Sequence, residues 1–187
     1  MKAEHLSRLY SGRRRASSGG TVIGYLSPLL AVIVGIVHAA LAPVIAIGDV
    51  KPNLVLVAVV LVTCLAGFLP GITWAFVAGL TANLLVSAPL GSIPLALLVV
   101  AALTAGGARL LGRMVWIYPV IATAVGSVVA DLVTLGIAAL VDDASVTSVP
   151  TDVILGAAVL NAAICAIALV PARLIATRWV TEEAGAW

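Results

Sequence analysis

Residues 116–141 read WIYPVIATAVGSVVADLVTLGIAALV. One charged residue, Asp131, interrupts this apolar run. A membrane-crossing helix needs about 20 apolar residues to span a hydrocarbon layer of ~30 Å. A helix on a soluble protein would carry a polar face instead. The stretch therefore reads as a transmembrane span. The rest of the chain repeats it. Of 187 residues, 63% are apolar and 10% charged, with a mean hydropathy of +1.23. Soluble domains hold roughly 45–50% apolar and about 25% charged residues. This composition excludes a soluble enzyme, a disordered tail, a coiled coil and a secreted disulfide scaffold. Cys64 and Cys165 both lie inside apolar runs and read as small core residues, not as a bridge.

Five more runs flank this one. The expected spans are 24–47, 53–69, 72–88, 92–111, 116–141 and 153–175. Polar or turn-forming breaks separate them: Gly48-Asp49-Val50-Lys51-Pro52, Pro70-Gly71, Pro89-Leu90-Gly91, Arg113, and Asp142-Asp143. The second and third spans are short, about 26 Å each at ~1.5 Å per residue. A re-entrant hairpin is the alternative there; six full spans fit the apolar lengths better. The expected fold is an all-α membrane protein, a bundle of six transmembrane helices. Its domain organisation is a basic tail over 1–23, a membrane domain over 24–177 and a short tail over 178–187.

Charge sets the orientation, because cytoplasmic loops collect Lys and Arg. With both termini inside, the inner segments hold Lys2, Arg8, Arg13, Arg14, Arg15, Arg109, Arg113, Arg173 and Arg178. Lys51 alone falls outside, beside Asp142, Asp143 and Asp152. Tyr25, Trp74, Trp116, Tyr118 and Trp179 fall at inner ends, as interfacial aromatics should. The first apolar run exceeds a signal-peptide core of about 7–15 residues, so it reads as an uncleaved anchor. Its arginines orient the chain and attract anionic lipid.

Helices in lipid pack through small residues and shared hydrogen bonds. The third span offers Gly71, Ala75, Gly79 and Asn83 at four-residue spacing, on one face. The fifth carries Thr123, Ser127 and Asp131; the sixth carries Ala158, Ala162 and Ala166 beside Asn161. His38, Asn83, Asp131 and Asn161 all fall roughly 4–5 Å outside the midplane of their spans. Four polar groups on four spans at one depth predict a single polar layer. A carboxylate such as Asp131 costs roughly 2.5–3.5 kcal/mol at a helix centre and should face the interior. The layer is either a packing network or an outward-facing pocket.

Catalytic patterns are missing. There is no phosphate loop, HExxH or CxxC, and His5 and His38 are the two histidines. One intramembrane carboxylate cannot form an aspartyl-protease dyad. The expectation is a non-enzyme without metal or cofactor and without a nucleic-acid partner.

One stretch points to a family. Val50-Lys51-Pro52-Asn53-Leu54 precedes an apolar span; Gly67-Phe68-Leu69-Pro70-Gly71, Ala78-Gly79-Leu80, Asn83-Leu84-Leu85 and Pro89-Leu90-Gly91 follow. This pattern resembles the MreD family of bacterial rod-shape-determining membrane proteins. Pro52, Asn53, Leu54, Pro89, Leu90 and Gly91 carry it, across 50 to about 107. The family pattern has Asp where this chain has Asn83. The resemblance implies a non-catalytic subunit of the cell-elongation complex in the bacterial inner membrane. It implies binding to the single-span protein MreC. It also implies work beside the peptidoglycan polymerase and transpeptidase pair and an actin-like cytoskeleton. The implied bundle is similar to the substrate-capture subunits of energy-coupling-factor transporters. A vitamin-capture subunit, using the polar layer as its pocket, is the alternative function.

Overall fold

Helix breakers decide where each element ends. The computed structural model describes residues 18–46, 50–110, 116–141 and 150–184, with backbone alone at 18–25 and 176–184. The elements are α1 (Ser18–Leu41), α2 (Leu54–Ala66), α3 (Phe68–Leu85), α4 (Ser92–Leu110), α5 (Tyr118–Val141) and α6 (Thr151–Ala184). The described residues contain no strand. Four helices, α3 to α6, are long and apolar enough to cross a membrane; α2 and the apolar part of α1, Leu26–Leu41, are shorter. Leucine, isoleucine and valine side chains stand exposed on every helix except α2. Such an apolar exterior is the surface of a multi-pass helical membrane protein. The arginine-rich segment 13–15, Arg113, Asp142 and Asp143 lie outside the described residues.

Several expected boundaries shift, with α3 running Phe68–Leu85 in place of 72–88 and α1 starting at Ser18, and two of the shifts have a plain local reason. The first helix stops at Leu41, ahead of Ile47. Pro43 has no N–H to continue it, and the chain turns through Ala42 N–H to His38 O and Val44 N–H to Leu41 O. The second helix stops at Ala66, ahead of Leu69. Gly67 sits at φ 103, which glycine alone adopts freely, and reverses the chain in one residue. Pro70 then falls in the first turn of α3, where a missing N–H costs nothing. The break is thus at Gly67, not at Pro70-Gly71. At the other end α6 runs unbroken through Pro171 to Ala184, beyond Ile175.

The short helix is the hub. α2 touches all five others, while α1, α3, α4, α5 and α6 follow one another around it. Among the described residues α1 and α6 do not touch each other, so the ring they show is open on one side. Val55, Leu56, Val59 and Val60 of α2 pack with Ala75, Ala78 and Ala82 of α3 and with Leu97 and Val100 of α4. Val57 and Leu61 pack with Cys165 and Leu169 of α6.

Small residues set the spacing. A Cβ on Gly71 would fall on the Thr63 side chain of α2. A Cβ on Gly79 would come 2.9 Å from Pro94 Cα of α4. Ala75 between them is fully buried. The Gly71, Ala75, Gly79 face is therefore used inside the bundle, by α2 and α4. Gly35 of α1 does the same against Ala78 O and Thr81 of α3, each 2.8 Å from its would-be Cβ.

Candidate functional site

A helix of 13 residues covers about 20 Å, roughly two thirds of a hydrocarbon layer. Its neighbours are longer. At the end where α2 begins, this mismatch leaves a cavity of about 420 Å³. His38 from α1, Lys51 and Asn53 from the segment entering α2, Leu97 from α4, Asp131 and Thr134 from α5, and Ile154 from α6 line it. This is the end where α1 and α5 stop and α2, α4 and α6 start. Lys51 is exposed at it, whereas His38 and Asp131 are half-buried. His38 Nδ1 is buried without a hydrogen-bond partner. Asp131 has no hydrogen-bond or ion-pair partner among the described residues.

The four polar residues expected as one layer take three different positions. His38 and Asp131 share the cavity. Asn161 lies beneath it, 1% exposed. Its Oδ1 accepts the Asn53 backbone N–H at 2.7 Å, and its Nδ2 donates to Ser127 Oγ at 2.9 Å. The donor of Asn53 fixes which end of the Asn161 amide faces it. Asn83 lies apart, in the last turn of α3, where its side chain reaches the turn into α4. Its Oδ1 accepts the Gly91 N–H at 2.6 Å, and its Nδ2 makes longer bonds to Pro89 O at 3.3 Å and Ala88 O at 3.5 Å.

The Pro-Asn-Leu and Pro-Leu-Gly motifs acquire local explanations. Pro52 is buried and cannot donate, so it breaks the chain before α2. The Asn53 side chain caps α2 by accepting the Leu56 N–H at 3.0 Å. Leu54 opens the helix, half-buried. Gly91 takes φ 91, and Ser92 N–H closes the turn onto Pro89 O at 3.1 Å. Leu90 is 81% exposed, so the turn projects an apolar side chain outward.

The opposite end of the bundle is held by aromatic residues. The Arg173 guanidinium stacks over the Trp116 ring at 4.4 Å, a cation–π contact between α6 and the start of α5. Tyr118 Oη donates to Thr104 O of α4, and Gly107 leaves the room its ring needs. Trp74 Nε1 donates to Ser27 Oγ at 2.8 Å, tying α3 to α1. Sequence reading placed these aromatics at one end but could not name their partners. In the sequence Lys51 reads as a loop charge, and Thr134 carries no signal of its own.

The open side of the ring forms a second feature. Thr63 of α2 faces α3, while Val57 and Leu61 face α6. At 100° per residue, Leu54, Ala58, Val62 and Leu65 fall on the arc between α6 and α1. All four are half-buried, whereas Val55, Leu56, Val59 and Val60 are fully buried. These four residues make an apolar, half-buried face of α2 between α1 and α6. Among the described residues, no three His, Cys, Asp or Glu side chains gather as a metal site. Comparison with known proteins returned no match to a family model, a curated protein or a solved structure.

Proposed function

We propose that the chain is a non-catalytic, MreD-like subunit of the bacterial cell-elongation machinery. In this reading it crosses the inner membrane six times, with both termini in the cytoplasm, and holds the single span of an MreC-like protein. The open face of α2 carries the reading. Lipid gives no hydrophobic drive between helices, so a partner must offer better packing than lipid tails do. A half-buried apolar face of α2 flanked by α1 and α6 offers that. The sequence pattern around Pro52, Asn83 and Gly91 adds support, because each of these residues shapes a helix entry. Contacts with the wall-synthesis enzymes and the actin-like cytoskeleton would then run through the bound partner and the two tails.

The test is recovery of an MreC-like protein on the tagged full-length chain from membranes. Val62→Trp obstructs this face and should cut recovery at least tenfold, leaving thermal stability within a few degrees. Deletion of the gene should round the cells. Recovery unchanged by Val62→Trp, or rods after deletion, contradicts the reading. Topology is tested separately, with Cys64 and Cys165 replaced. A cysteine at Lys51 should label from outside, and one at Leu110 only after permeabilisation.

A second reading, a small-molecule capture subunit, draws on the cavity between α1, α4, α5 and α6. Copurification with an ATPase pair in place of an MreC-like protein would favour it.

A further inference from the structure

We propose that the cavity over the start of α2 binds a small organic ammonium carrying an apolar body, with its cation seated on Asp131. This does not depend on the open face of α2 or on what covers it. The volume of about 420 Å³ falls in the ~300–1,000 Å³ range of small-molecule sites. The walls are mostly apolar, with Ile93, Leu97, Leu135 and Ile154 among them. Pockets of this kind use a few polar groups to orient a ligand and apolar walls to hold it.

The polar groups decide the ligand's chemistry. Asp131 is half-buried in a membrane helix and has no partner among the described residues. An unpaired carboxylate at such a depth is costly, and a cation delivered to it removes that cost. The nearby cation of the chain is not supplied: Lys51 is exposed, and no ion pair joins it to Asp131 among the described residues. Its stem can lie on the apolar rim while its ammonium stays in water. His38 also lines the cavity, but its unpartnered Nδ1 is buried and presents no surface to a ligand there. Asn161 and Ser127 satisfy each other and Asn53 below the cavity, so they hold its floor and are not free to bind.

Three probes of one shape separate charge from greasiness: phenethylamine, 2-phenylethanol and phenylacetate. Each is titrated against the purified full chain in detergent, with thermal unfolding as readout. Phenethylamine should raise the melting temperature saturably, by about 3–5 °C at ten times its Kd. The alcohol and the acid should not. Asp131→Asn should remove the response to the amine. If that variant does not fold, the three-probe comparison on the unaltered chain still decides. No shift with the amine, an equal shift with the alcohol, or a full shift in a folded Asp131→Asn chain overturns the proposal.

Discussion

Asn161 on α6 accepts the backbone N–H of Asn53 at 2.7 Å, across 108 residues of sequence. This bond fixes the entry of the central helix. Asn53 in turn caps α2, so one buried amide positions the residue that starts the hub of the bundle. Ser127 on α5 takes the other end of the same amide. Asn161→Ala leaves a backbone donor and a hydroxyl without this partner, which costs about 1–3 kcal/mol. Reversible unfolding in mixed micelles should show that loss. Asn161→Asp keeps the acceptor for Asn53 but buries an unpaired carboxylate, so it should lose at least as much. A loss below about 0.5 kcal/mol for Asn161→Ala would mean the bond is replaceable by water.

The glycines separate into two kinds. Gly79 faces the Pro94 backbone, and a Cβ there would stand 2.9 Å from Pro94 Cα. Gly136 has nothing within 4 Å of its would-be Cβ. Gly79→Val should force α3 and α4 apart, at a cost of about 1–3 kcal/mol or more. Gly136→Ala should be neutral or stabilise by up to about 1 kcal/mol, through helix propensity. Melting temperatures of the two variants side by side check this. Equal effects would show that the α3–α4 approach is not tight.

Asn83 gives a prediction about the position where the resembled family carries Asp. Its shortest bond is the one it accepts from Gly91 N–H, at 2.6 Å. Aspartate keeps that acceptor but turns its other oxygen toward two carbonyls. Asn83→Asp should therefore be milder than Asn83→Ala, which loses the turn's anchor at about 1–3 kcal/mol. The order of the two unfolding midpoints is the readout. Asn83→Asp below Asn83→Ala would show that the long Nδ2 bonds matter more than the short one.

Particular residues show what the sequence carries and what it hides. The starts and ends of α4 and α5 are legible, because Pro-Leu-Gly and Asp142-Asp143 punctuate long apolar runs. The break at Gly67 is harder: Pro70-Gly71 is the louder turn signal, yet proline fits a first helical turn. The polar residues could be ranked by depth, but depth does not say which face each one takes. Asn161 and Asp131 share a depth and part ways, one into packing and one into a cavity. Lys51 joins that cavity only because α2 is short, which apolar run length overstated. The Gly71, Ala75, Gly79 stripe signals close packing correctly but not against which neighbour. The open face of α2 needs the order of helices around it, which no local pattern contains.

Site-specific photo-crosslinking along α2 tests the central claim most directly. A photoreactive side chain at Ala58 or Val62 lies on the open face of α2; one at Leu103 of α4 or Leu140 of α5 looks at lipid elsewhere. In living cells the first two should capture an MreC-like protein through its membrane span, identified by mass, and the last two should not. Capture at Leu103 or Leu140 with none at Ala58 and Val62 would contradict the claim that the open side of α2 holds the partner helix.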